Sequence, residues 1–486
     1  MRRISVSLAL LLACSLVLAA CGSKSKNSSS SSNGSSSIPG AEIVPASAIG
    51  FVSISTDSSG AQWQQVKTLI AGIPSAQKAL GKALSSSGVT LTDFEQALGK
   101  TTNLVELGTA AKTVDVILTN TTDAAKLKSL LAKSSSKKEP VTTEIGSWLA
   151  MSDSQAALDQ FQSAAAKGKL ADSSSFKQAL PGIPSDALVR AYLTGSAITA
   201  TAGNLGTGST SKLLGSAAKK NQLEWGTLAV SAVPEGLSVS GVFKGKTSLA
   251  NSSSTLIDEL PSTTSLAVDL NGKDLGLDKA VLALRKNAKY GKEIPQIEAL
   301  LGVKLEDLAT LLGSEMSVYA TNSGIGILIK APNADQSKAM LDKVVKLLSA
   351  QVSGASKPVS IGGVAATQLT IGKMKIYYGV KSGNLFIVTD ANALPGAGIS
   401  SDPVYAAAAK ALPIPAANSG VAFVDFANLA QLSKSSNSVV KSVGKLGGSS
   451  TAKISSSFDA RGVSSLLGFI VANGDKIELK AMLSVK

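Results

Sequence analysis

The sequence predicts an α+β fold in two related lobes, each an antiparallel or mixed sheet with helices packed on one face. Three observations carry this expectation. Short strand-like apolar runs alternate with amphipathic helical runs along the chain. The runs recur in one order in the two halves. Each half also closes on two alternating strands around a turn signal, Pro234-Glu235-Gly236 in one and Asn473-Gly474-Asp475 in the other. Hairpins and strand-strand-helix runs put helices against an antiparallel sheet, which is the α+β pattern. A chain of 486 residues also exceeds what one compact domain usually holds.

Residues 1–20 read as an export signal: Arg2 and Arg3 form a basic start, Ile4 to Leu18 an apolar run, and small residues follow. The run is shorter than the roughly 20 apolar residues of a spanning helix. Leu18-Ala19-Ala20-Cys21 resembles the lipobox of bacterial lipoproteins, and the resemblance implies that Cys21 is acylated, for example with palmitate, and becomes the new N-terminus. The alternative is a secreted chain cut after Ala20 with Cys21 free. Cys14 lies inside the apolar run and leaves with the signal. Residues 21–40 then form a tether whose Ser, Gly and Asn cannot bury apolar surface. About 20 such residues reach roughly 25 Å on average and about 70 Å when taut.

The body opens with a strand over Ala48 to Ser55, after Pro45. Helices are predicted over Gln62 to Ile73, Ser75 to Leu84 and Leu91 to Gly99, with Pro74 separating the first two. Strands follow near Asn103 to Leu107 and Thr113 to Asn120. A Lys-rich helix then covers Asp123 to Lys133 and a turn Lys137 to Pro140. This order returns downstream. Leu91, Asp93, Leu98 and Gly99 match Leu305, Asp307, Leu312 and Gly313. Pro45, Val52 and Ile54 match Pro261, Val268 and Leu270, and Val116 to Lys133 matches Leu328 to Val345. Trp148 to Asp153 resembles Leu385 to Asp390, Ala179-Leu180-Pro181 returns as Ala411-Leu412-Pro413, and Ala191-Tyr192-Leu193 as Ala422-Phe423-Val424. The hairpins Leu223–Val233/Leu237–Phe243 and Val463–Ala472/Lys476–Val485 close the halves. An internal duplication with lobes at 41–248 and 255–486, joined by Asn251 to Thr255, explains the common order; one continuous sheet across both halves is the alternative.

Composition narrows the chemistry. The formal charge is +14, or +12 once Arg2 and Arg3 leave, and nearly all of it is Lys, since Arg190, Arg285 and Arg461 are the remaining arginines. Nucleic-acid recognition favours Arg forks with interleaved aromatics, so no nucleic-acid partner is expected. A lysine surface fits an anionic envelope of lipid headgroups and polymers, or serves solubility alone. The sequence has no histidine, and Cys21 is the single cysteine beyond the leader. That excludes His-based triads, Cys-His pairs, and His or Cys zinc, iron-sulfur and haem sites, and it implies no cofactor.

The Pro45 to Thr56 start, the Asp93 to Gly99 helix and the Phe176 to Tyr192 block resemble the bacterial DUF3352 family, an exported domain of unknown function. The resemblance implies an envelope protein of unestablished activity and supplies no catalytic residue. A His-free hydrolase would need a Ser-Lys pair, and Ser75/Lys78 and Ser450/Lys453 have S-x-x-K spacing, without the S-D-N and K-T-G companions of penicillin-binding enzymes. Gly241 to Thr247 is one residue short of a phosphate loop and follows a strand. Asn271 to Asp274 and Asp57 to Gly60 lack the acidic density of calcium loops and read as turns. Lys126 to Lys133 and Lys338 to Lys346 read as solvated helix faces, or as surfaces for anionic lipid. The expected function is a non-enzymatic, membrane-anchored binding or structural module of the bacterial cell envelope, on the outer face of the cell membrane. Its alternatives are an amphiphile carrier with an apolar cavity and the Ser-Lys hydrolase. Cys21 is the one site residue, for lipidation; no catalytic, cofactor or metal residue is expected.

Overall fold

The structure is a computed structural model that describes residues 37–71, 93, 97–109, 112–134, 139–204, 222–247, 249–253, 256–287, 291–351, 355–396, 398–432 and 462–486. It is a mixed α/β protein that divides into two compact units: residues 1–247 with 461–463 and 473–486, and residues 248–460 with 464–472.

The first unit contains β1 (Gly50–Ser55), β2 (Thr101–Thr109), β3 (Lys112–Thr119), β4 (Val141–Ile145), β5 (Trp148–Ser152), β6 (Val189–Thr194), β7 (Trp225–Val233) and β8 (Gly236–Lys244). Its helices are α1 (Ala61–Ala71), α2 (Ala124–Ser134), α3 (Gln155–Ala165), α4 (Ser174–Ala179) and α5 (Gly195–Asn204). The strands pair antiparallel in the order β4-β5-β3-β2-β1-β6-β7-β8.

The second unit contains the short pair β9 (Ser252–Ser253) and β17 (Ala417–Asn418) beside its main sheet. That sheet uses β10 (Thr264–Asn271), β11 (Glu315–Thr321), β12 (Ile325–Ile329), β13 (Ala355–Ile361), β14 (Val364–Ile371), β15 (Met374–Lys381), β16 (Asn384–Val388), β18 (Gly420–Asp425) and β19 (Val463–Asn473). Its order is β19-β18-β10-β11-β12-β16-β15-β14-β13, again antiparallel. Helices α6 (Gly272–Leu275), α7 (Leu277–Ala283), α8 (Ile294–Leu301) and α9 (Leu305–Leu312) lie between β10 and β11; α10 (Ala334–Gln351), α11 (Pro403–Ala411) and α12 (Phe426–Leu432) follow.

The strand order β3-β2-β1-β6-β7 of the first unit has the form of β12-β11-β10-β18-β19 in the second. The registers agree as well. Val52 stands opposite Leu104 and Ala191, while Val268 stands opposite Val318 and Ala422. These are the residues that the sequence comparison set side by side on the first and last of the three strands. Most strands and helices follow the alternation and periodicity of the sequence within a few residues. The predicted helix over Ser75 to Leu84, and the turn over 137–138, lie outside the described residues.

Helices cover both faces of each sheet, where one face was expected. In β1 the consecutive residues Phe51, Val52 and Ser53 are all buried. Phe51, Val105 and Tyr192 pack with Leu158 and Phe161 of α3 and Phe176 of α4. Val52, Leu104 and Ala191 pack on the other side with Val66 and Ile70 of α1 and Ala197 of α5. The second unit repeats the arrangement: Ala267, Tyr319 and Phe423 face Tyr405 and Ala408 of α11, and Met316, Ile329 and Leu385 face Leu311 of α9 and Met340 of α10. A strand buried on both sides loses the clean alternation that marks a half-solvated sheet.

The C-terminal strand is the other departure. Lys476–Val485, here β20, follows the Asn-Gly turn with Gly474 at φ +62°, and the sequence reading placed it with the lobe 255–486. It belongs to the first unit instead, pairing β8 from Lys476↔Lys244 to Ser484↔Gly236. Leu483 and Val485 pack there with Leu237 and Val239. β8 would otherwise end the sheet as an open edge with unpaired backbone groups, which β20 satisfies.

Candidate binding surface

The cores of the two units solve one packing problem in opposite ways. Cross-strand neighbours on the sheet face are Phe51↔Val105 in the first unit and Ala267↔Tyr319 in the second. The large ring has moved from one strand to its neighbour. The next strand supplies the room: Val105 stands opposite Val116, but Tyr319 stands opposite Gly326, where a Cβ would lie 2.1 Å from the ring. Tyr319 donates to the Ala393 carbonyl at 2.6 Å, and burial pushes its phenol pKa up, so it stays a donor.

One position further along, a polar row crosses the same face. In the second unit Asp269 is buried and accepts from Ser317 Oγ at 2.8 Å. In the first unit Ser53 stands between Asn103 and Arg190, all three buried. Ser53 Oγ, Asn103 Oδ1 and Arg190 Nε have no hydrogen-bond partner among the described residues. Desolvation lowers the Arg190 pKa, and nearby Asp186 opposes that shift. The Ser317–Asp269 pair is buried within the sheet, and neither residue lines the two cavities beside α9.

Among the described residues, two neighbouring cavities lie beside α9 in the second unit. A cavity of 400 Å³ sits between α9 and α10, lined by Val303, Leu311 and Met340 with Asp307, Gln336 and Lys343. A neighbouring one of 460 Å³ is lined by Lys273, Asp278, Leu282, Glu306, Glu315 and Lys330, and the two share Thr310 and Pro332. Their mixed lining suits polar groups or ions more than a lipid chain. Glu315 is buried beside Lys330, with 3.4 Å between charged atoms.

The helices around these cavities are held by one arginine. Arg285 bridges Glu298 at 2.7 Å and Glu306 at 2.8 Å, and Glu298 Oε1 also accepts from the backbone N–H of Leu305. The Glu306 hydrogen bond comes first in raising the Arg285 pKa, and its reciprocal lowers that of Glu306. With α7 and α8 so fixed, Leu277 and Leu301 pack half-buried against the core, and most of their other apolar residues remain outside. α7 buries no residue and α8 buries Ile294 alone. Leu300 is 70% exposed, and Leu275, Ile297, Leu284 and Leu282 range from 48% down to 38%. Lys279, Lys286 and Lys292 are exposed among them. The run Leu277 to Lys304 reads in sequence as an ordinary amphipathic stretch, and its exposed side chains are revealed by burial alone.

The sites singled out from sequence fare differently. Cys21, Ser75, Lys78, Ser450 and Lys453 lie outside the described residues. Gly241 is inside β8 and Lys246-Thr247 follow that strand, so no helix opens after them to cradle phosphate. Asp57 to Gly60 form a turn before α1: Asp57 Oδ1 accepts from Ser59 N–H and Oγ, and the hydroxyl bond is the first cause of its lowered pKa. Asn271 ends β10 and Gly272–Leu275 is helical. Lys338 pairs with Asp342 within α10 at 2.8 Å, and Asp342 Oδ1 also accepts from Tyr378 at 2.9 Å, so the aspartate pins α10 to β15 and the lysine is held by it. Among the described residues no helix is long and apolar enough to cross a membrane, and no cluster of three or more acidic, His or Cys residues could hold a metal.

Neither a curated protein nor a solved structure shows significant similarity to the chain. A family model described as a protein of unknown function, DUF3352, matches residues 112–464, from β3 into β19. The Phe176 to Tyr192 block falls inside that span, and the Pro45 and Asp93 stretches fall outside it. With most of its length matched, the chain belongs to the DUF3352 family of proteins of unknown function.

Proposed function

We propose that this protein is an exported bacterial lipoprotein, anchored to the outer face of the cell membrane through lipid on Cys21, whose two-unit body is a non-enzymatic binding or structural module of the envelope. The observation that carries the reading is Leu18-Ala19-Ala20-Cys21 at the end of a short basic-apolar leader, followed at once by a Ser/Gly tether. One acyl chain holds a protein only marginally at about 0.8 kcal/mol per buried CH₂, so stable attachment takes two or more chains, as a lipoprotein N-terminus supplies. The absence of histidine from the sequence supports a non-enzymatic role. The shared strand order and coincident registers support an internal duplication as the origin of the two units.

Growth with an alkyne analogue of palmitate tests the anchor. The parent chain should take up the label and the Cys21→Ser variant should take up none. Equal labelling of the two would place the lipid elsewhere, and no labelling of the parent would remove the reading.

A further inference from the structure

We propose that α7 and α8 of the second unit form a docking surface for an anionic lipid bilayer, so that the body rests on the membrane that holds its tether. The proposal deepens the lipoprotein reading and rests on it for the membrane being near.

Three observations support it. Short amphipathic helices normally spend their apolar residues on a core, yet α7 packs only the half-buried Leu277 against it, and Leu282, Leu284, Ile297 and Leu300 are exposed. The counterpart after β1, helix α1, buries Val66, Leu69 and Ile70 and exposes no large apolar side chain. Charge then selects the occupant. From Gly272 to Lys304 the sequence carries seven basic and four acidic residues; with Arg285 and Glu298 paired to each other, six lysines remain against three carboxylates. Exposed leucines among exposed lysines match the interface of an anionic bilayer, where apolar side chains enter the acyl boundary and ammonium groups meet phosphate. Finally, on the lipoprotein reading only about 20 residues of sequence separate the lipid on Cys21 from the body, which puts the bilayer beside it.

Hydrogen exchange by mass spectrometry tests this on the full-length protein purified from its own membranes. It is read in detergent, in neutral phosphatidylcholine vesicles, and in vesicles with about one third phosphatidylglycerol. Docking predicts exchange at least fivefold slower over 277–301 in the anionic vesicles, reversed by 0.5 M salt, with α1 unchanged. Ile297→Glu with Leu300→Glu should abolish the slowing while leaving the circular dichroism spectrum intact, because both side chains are exposed. Equal rates in all three media would overturn the proposal, as would equal slowing in neutral vesicles. Slowing that needs no vesicles and grows with protein concentration would assign the surface to a second copy and overturn it too. Vesicle flotation in the same samples separates the two readings. A chain that floats without slowing at 277–301 keeps its anchor and loses the docking surface; slowing in a chain whose Cys21 carries no lipid does the reverse.

Discussion

The two units share a strand order and differ in how they spend their apolar residues. In the first, the helix after the leading strand gives Val66, Leu69 and Ile70 to the core. In the second, α7 gives only the partly buried Leu277, and α8 gives Ile294 and the partly buried Leu301. Among the described residues, the helix after the leading strand therefore serves packing in the first unit, while α7 and α8 leave most of their apolar residues at a surface in the second. The cores repeat the lesson on a smaller scale: Phe51 over Val105 becomes Ala267 over Tyr319, and Gly326 replaces Val116 to seat the displaced ring. Strand order and register are set by backbone pairing and alternation. Which neighbour carries the bulk is free to change, provided the pair fills the same space.

The comparison can be broken most forcefully at the two rings. Phe51→Ala should cost about 3–5 kcal/mol of stability by the usual toll of an emptied aromatic site, and Tyr319→Ala a comparable amount. Denaturant titration measures both, and a small effect at either position would mean that its ring is not the anchor of its core. Gly326→Val comes next. Overpacking against Tyr319 should cost about 1–3 kcal/mol or more, whereas adding Ala267→Phe with Tyr319→Val, which rebuilds the Phe-Val-Val row of the first unit, should restore much of the loss. A triple variant no better than the single one would refute the exchange of bulk between strands. The polar rows give the smallest contrast. Asp269→Ala leaves the Ser317 hydroxyl buried and unpaired, at about 1–3 kcal/mol, while Ser53→Ala removes a hydroxyl without a partner and should change stability by less than about 1 kcal/mol. Thermal melts of the two variants should rank in that order; the reverse order would show that Ser53 is the one with a needed partner.

Much of the scaffold was legible because it rests on local alternation. The strands around Val52, Val116 and Leu328 and both terminal hairpins show it, and the Asn473-Gly474 turn marks its own φ. The extension β13–β15 was missed for a physical reason: most of Ala355 to Ser360 is exposed, so Lys357 and Pro358 leave no apolar alternation to read. Only the turns at Gly362-Gly363, Gly372 and Ser382-Gly383, all with positive φ, punctuate it. β20 was recognised as a strand but assigned to the wrong unit, because alternation tells that a strand has a buried face and not which edge receives it. The exposed leucines of α7 and α8 were hidden for a similar reason. An amphipathic run looks the same in sequence whether its apolar face meets a core or the solvent. Cys21 is the opposite case: its neighbours in the sequence carry the proposal, and it lies outside the described residues.

The mass of the N-terminal peptide of the protein taken from its native membrane bears most directly on where the body is held. On the lipoprotein proposal the chain begins at Cys21 and carries a diacylglyceryl group on the sulfur. A chain that begins at Cys21 with a free thiol, or one that retains residues 1–20, would rule the anchor out.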